Sequence, residues 1–208
     1  MNEPSGTLVF WILVPLFMAV GLYLIWYSRR RKKMLETFAK THQLPMRPEY
    51  KRELQRTLDS CFSLSEKGLV RSHGQLSSIV DGGSIWLFRA VELLDLNPHA
   101  QSYSTHFSRI VALFDIPTTV QDEYFLLDNS MRVHRRLPGA KPPNPKAIAI
   151  SKRIAQGCNA RHSLSVTFAR GHGLIYFEPL VTGGETMNDV TSLYCIAKNM
   201  LRQLSDDV

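Results

Sequence analysis

The sequence predicts an α+β protein, with one N-terminal transmembrane helix followed by an antiparallel sheet of hairpins packed by N- and C-terminal amphipathic helices. Three observations carry that prediction. Residues 8–27 hold no charge. Two glycine turns further on separate apolar-rich runs, which is the mark of hairpins. The C-terminal segment repeats apolar residues at intervals of three and four, which makes one helical stripe.

The apolar run reads "LVFWILVPLFMAVGLYLIWY". A helix of that length rises about 30 Å, the thickness of a bilayer's hydrocarbon core. Trp11 stands near one end, Trp26 and Tyr27 at the other, and amphipathic aromatics favour headgroup boundaries. Pro15 falls inside the span, where a kink is tolerated. A cleaved signal peptide would want basic residues before the run and small residues at a cut site. The side chains before it include Glu3 and no Lys or Arg, and "LYLIWYS" offers no Ala-x-Ala. A buried core helix fits poorly, because the run is apolar on every face.

Five consecutive positive charges follow: Arg29, Arg30, Arg31, Lys32 and Lys33. Lys and Arg beside a span stay cytoplasmic. The expectation is a single-pass protein of a bacterial inner membrane. The reading gives residues 1–7 outside, 8–27 crossing, 28–45 as a basic juxtamembrane helix, and 46–208 as a cytosolic α+β domain. The same five charges attract anionic lipid, by roughly 1 kcal/mol per charge near the surface.

Met34, Leu35, Phe38, Ala39 and His42 form one stripe, closed by Pro45 and Pro48. A short helix is predicted over 49–59, with Leu54 and Leu58 on one face. Asp81-Gly82-Gly83 sits between apolar runs within 75–94 and predicts a hairpin. Residues 107–116 and 122–128 read as strands, and 95–103 as a loop. The segment "LPGAKPPNPKA" has four prolines, so 137–146 is expected to be a loop. A helix is predicted over 146–155. A second hairpin turns at Gly171-His172-Gly173, which makes His172 a turn residue. Thr186 and Asp189 have capping-box spacing. Val190, Leu193, Tyr194, Ala197, Leu201 and Leu204 then make the C-terminal stripe, expected to lie on the sheet.

"TFAKTHQL", then "CFSLSEKGLVRSHGQLSSIVDGGSIWLFRAVE", then "HFSRIVALFDIP" and a terminal amphipathic helix resemble a group of uncharacterised bacterial proteins anchored by N-terminal spans. The shared element is Phe62, Leu64 and Gly68 before Arg71 and a glycine-turned hairpin. The similarity covers residues 35–128, and the C-terminal part weakly. This chain departs from the group's tyrosines after the hairpin, reading "FRAVELL" there. The resemblance implies a fold and a membrane address and supplies no catalytic residue.

Three cysteines, Cys61, Cys158 and Cys195, lack any CxxC spacing and read as separate thiols of a reducing compartment. Seven scattered histidines include no HExxH, and there is no P-loop, GxGxxG or GxSxG. No cofactor, metal or catalytic residue is therefore assigned. The expectation is a non-enzymatic membrane-tethered interaction or regulatory module, with an enzyme acting on a membrane-proximal substrate as the alternative.

Of the net charge of +7, the collar supplies +5, and the rest of the chain after it holds 20 basic and 17 acidic residues. One window is segregated. From Asn129 to Phe177 there is no Asp or Glu but nine Lys and Arg, whereas Val111 to Ser130 is acidic. Dispersal by folding is one outcome. Another is contact with an anionic inner leaflet or an acidic protein partner, through Arg135, Arg136, Lys152 and Arg153 together with the collar. Nucleic acid is not an expected partner, because no aromatic RNP-like strand and no basic recognition helix accompanies the charge.

Overall fold

The computed structural model describes residues 5–47, 51–61, 70–80, 83–94, 105–117, 120, 122–134, 144–177 and 185–206, with part of the side chains in these ranges. The expected turn residues Asp81 and Gly82, the loops 95–103 and 137–143, and Phe62, Leu64 and Gly68 of the resemblance lie outside the described residues.

The chain is α+β, as the sequence predicts. Helix α1 (Ser5–Thr41) and helix α2 (Lys51–Cys61) precede strands β1 (Val70–Val80), β2 (Gly83–Leu94), β3 (Thr105–Asp115), β4 (Glu123–Leu127) and β5 (Val133–His134). Helix α3 (Pro145–Gly157), strands β6 (Leu164–Ala169) and β7 (His172–Phe177), and helix α4 (Met187–Asp206) complete it. The strands form one sheet in the order β1-β2-β3-β7-β6-β4-β5, and every pairing is antiparallel.

Strand periodicity divides the core between two faces. Ile85, Leu87, Ile110, Ala112, Phe114, Val166, Phe168 and Ile175 point to the face covered by α1, α3 and α4. Phe88, Val111, Leu113, Leu174 and Tyr176 point to the other face, where Leu54 and Leu58 of α2 cover them. Central strands buried on both faces read as continuous apolar runs rather than alternating ones, which accounts for "RIVALFDI" and "GLIYF". Gly173 pairs with Phe114 across β3 and β7. A Cβ at 173 would run into the Phe114 ring, 2.6 Å from its Cε2, so the missing side chain makes room for that ring.

Local chemistry sets the helix ends. Asn144 caps α3, its Oδ1 accepting from the Lys146 N–H at 2.9 Å, and Pro145 takes the first helical position. The helix therefore claims the last residues of the expected loop 137–146. Thr186 and Asp189 form the predicted capping box: the Thr186 N–H donates to Asp189 Oδ2 at 2.7 Å and the Asp189 N–H to Thr186 Oγ1 at 3.3 Å. The buried stripe of α4 also includes Ile196 and Met200, while Tyr194 is half-buried beside Phe38. Helix α1 stops ahead of Pro45, where Gln43 turns left-handed at φ 53° and the Leu44 N–H returns to the Ala39 carbonyl.

Helix α1 continues through the seam at residues 27–29 without a break. Leu35, Phe38 and Ala39 near its C-terminal end are buried in the main core, and Trp11, Phe17, Leu22 and Trp26 are exposed. Among the described residues no helix is long and apolar enough to cross a membrane. The run 8–27 includes side chains, at 8–10, 12, 24 and 27, outside the described residues.

The second hairpin turns one step earlier than expected. Ala169 pairs with His172, which leaves Arg170 and Gly171 as the two-residue turn, with φ of 49° and 82°. Two positive φ values make the primed turn that suits strand twist. His172 thereby becomes the first residue of β7.

Candidate functional site at the corner of α3 and β6

The loop from α3 to β6 meets the turn after β4 at a polar corner. Helix α3 ends on Cys158, and Asn159 turns left-handed at φ 54°, with the Ala160 N–H returning to the Ala155 carbonyl. Asparagine substitutes here for the usual glycine. Facing it is the turn after β4. Asp128 Oδ1 accepts from the N–H groups of Ser130 and Arg132, each at 2.8 Å, and Met131 is left-handed at φ 58°. The Ser163 hydroxyl donates to Asn129 Oδ1 at 3.0 Å and ties the two loops together.

Between the loops lies a shallow cavity of about 400 Å³, lined by Asn129, Ser130, Met131, Gln156, Asn159, Ala160 and Arg161. Its rim offers carboxamides, a hydroxyl and one guanidinium. Among the described residues no carboxylate, cysteine or histidine lines it, so these side chains place no general base beside the Ser130 hydroxyl.

Two histidine–aspartate pairs lie nearby and at the far end of the sheet. His162 Nε2 is 3.2 Å from Asp189 Oδ1, and its ring meets Phe177 edge-on. That aspartate also caps α4, so the pair joins the corner to the start of the last helix. His172 Nδ1 is 3.2 Å from Asp115 Oδ1, and the Ser84 N–H donates to Asp115 Oδ2 at 3.0 Å. Burial pushes the Asp115 carboxyl up, but the neighbouring His172 imidazole and the Ser84 N–H together outweigh it and hold it below its usual range. Strand β6, about 17 Å long, separates His162 from His172, so the two pairs do not form one site. The side chains of His73, His106 and His134 lie outside the described residues. Among the described residues no group of three or more His, Cys, Asp or Glu could hold a metal.

The cysteine reading needs correction. Cys158 and Cys195 are joined as a disulfide, with Cα atoms 5.9 Å apart. The two residues are far apart in sequence and meet because α3 and α4 pack side by side on one face of the sheet. No local spacing could announce that. Asn199 Nδ2 lies 3.4 Å from Cys158 Sγ and 3.6 Å from Cys195 Sγ.

The described members of the predicted contact set sit on α1 and α3. Arg29, Arg30, Lys32 and Lys33 are exposed along α1, while the side chain of Arg31 lies outside the described residues. Lys32 reaches Glu36 at 3.8 Å, and the Arg30 guanidinium stacks 5.6 Å over Trp26. Arg135 and Arg136 lie outside the described residues. Lys152 is half-buried on α3, and Arg153 donates from Nη2 to Gln203 Oε1 of α4 at 2.6 Å. Arg161 and Arg170 stand at opposite ends of β6.

No family model, no curated protein and no solved structure matches the chain.

Proposed function

We propose that this chain is a single-pass membrane protein, N-terminus outside, that holds a cytosolic α+β domain against the inner leaflet as a non-enzymatic interaction or regulatory module. The observation that carries the reading is the first half of α1. Leu13, Val14, Leu16, Phe17 and Met18 are all exposed there, and the run contains no charge. Neighbouring helical positions point in different directions, so no polar face exists to meet water. A bilayer is the solvent that such a surface fits. The five-charge collar sets the orientation, and the resemblance to membrane-anchored bacterial proteins agrees with it. Because Leu35, Phe38 and Ala39 of the same helix are core residues, span and domain share one rigid element. That suits a module fixed at a set height above the lipid.

A second placement has one observation in its favour. Disulfides are rare in reducing compartments, and the Cys158–Cys195 bond fits a domain on the oxidising side.

The anchor is tested by alkaline carbonate extraction of membranes holding the full chain or residues 34–208 alone. The full chain is expected to stay with the lipid and the shortened chain to be released. Release of the full chain would remove the reading.

A further inference from the structure

We propose that Cys158–Cys195 is a thiol–disulfide exchange site that takes a small thiol of the glutathione class at Cys195. The two sulfurs are not equivalent. Cys158, at the end of α3, is 6% exposed. Cys195, midway along α4, is half-buried and is the less enclosed residue of the two, which makes it the side from which a thiolate would attack. Asn199, one turn beyond Cys195, aims its amide at both sulfurs. An N–H donor near a departing sulfur stabilises its thiolate, and a stabler leaving thiolate departs faster.

The chemistry balances in two steps. A thiolate RS⁻ attacks Cys195 Sγ, the S–S bond breaks, and its electron pair leaves on Cys158 Sγ, which Asn199 holds until water protonates it. A second RS⁻ attacks the R-bearing sulfur of the mixed disulfide, releasing R–S–S–R as product and Cys195 as a thiolate that water then protonates. The protein gains two electrons and two protons, and two thiols are oxidised to one disulfide. The reverse sequence, driven by the oxidised small disulfide, closes the bond again.

Opening has a local effect. Cys158 directly precedes Asn159, Ala160 and Arg161 of the shallow cavity. Helix α3 keeps Ile150, Ile154 and Ala155 in the core and Arg153 on Gln203. Reduction therefore frees the corner and leaves the sheet intact. A small-thiol pool is a cytosolic feature, so the regulatory meaning rests on the cytosolic placement proposed above, whereas the exchange chemistry does not.

The test uses the full chain in detergent with Cys61→Ser, incubated at graded ratios of reduced to oxidised glutathione, acid-quenched, tagged with a maleimide and read by intact mass. Two tags are expected to appear together as the ratio rises, without denaturant, and the glutathione adduct is expected to map to Cys195. Asn199→Ala is expected to slow the first step about fivefold while the melting temperature of the oxidised protein stays unchanged. Reduction that occurs only when denaturant is present during the glutathione incubation, an adduct on Cys158, or two tags before any reductant would each overturn the proposal. A reporter fused after Val208 reads the placement separately: exchange in detergent with the domain outside keeps the site and removes the cytosolic reading.

Discussion

Glu123 and Asp115 are two carboxylates at strand ends whose surroundings pull them in opposite directions. Asp115 has His172 and the Ser84 N–H as partners, and these hold it below 3.8 against the effect of burial. Glu123 is raised above 4.5 because burial dominates, and the Asn144 backbone N–H only partly offsets it. Its Oε2 is out of solvent with no hydrogen-bond partner among the described residues. A carboxyl raised in the folded state binds its proton more tightly there than in the unfolded chain. Its stabilising contribution is complete below 4.5 and is lost as pH rises through the folded value, so at pH 7 the ionised group is a liability. Glu123→Gln is expected to raise the melting temperature at pH 7 by about 1–2 °C, small because the residue is only partly shielded from solvent. The gain is expected to close as pH falls below 4.5, and a gain persisting in acid would contradict this account. At this scale sequence shows only neighbours. Thr186 and Asp189 were legible as a cap because three residues separate them. The His172–Asp115 pair was not, because the register of β7 on β3 creates it, and the Cys158–Cys195 bond was hidden because the packing of α3 beside α4 creates it.

Among the elements, α1 has two environments along one continuous helix. Its late turns are core: Phe38 is 1% exposed and meets Tyr194 edge-on at 5.5 Å. Its early turns are not, since Phe17 is 72% exposed. Phe38→Ala should destabilise the domain by about 3–4 kcal/mol through lost burial and the cavity left behind. Phe17→Ala should leave domain stability unchanged. Urea unfolding in detergent, followed by near-ultraviolet circular dichroism, separates the two. Equal costs would mean that the first half of the helix packs on the domain. Elements with their own period were legible in advance: the stripes of α1, α2 and α4, the β1–β2 hairpin and the strand at β3. The two-residue strand β5 has no period to read. The turn at Arg170 and Gly171 was misplaced because a non-glycine residue takes a positive φ there. Ile196 and Met200 were missed because the core-facing band of α4 is wider than a single stripe.

For the whole molecule, the account rests on a division of the chain. An uncharged run is proposed to stay in lipid, five cationic residues follow it, and the same helix leads into the domain, whose described strands number seven. The order of the sheet places β7 between β3 and β6, joining the two halves of the sequence across the Pro-rich segment. No sequence period could give that order, because distant strands choose one another through their buried faces. The basic segment reads as one block in sequence, but its described members include Arg153, tied to α4, and Arg161 and Arg170, at opposite ends of a strand. The proposed cytosolic placement rests on the collar, whereas a disulfide is commoner on the oxidising side. The most direct test is the activity of a dual reporter fused after Val208, one half fluorescent only in the cytosol and the other a phosphatase active only outside. The account predicts fluorescence without phosphatase activity; phosphatase activity without fluorescence would contradict it.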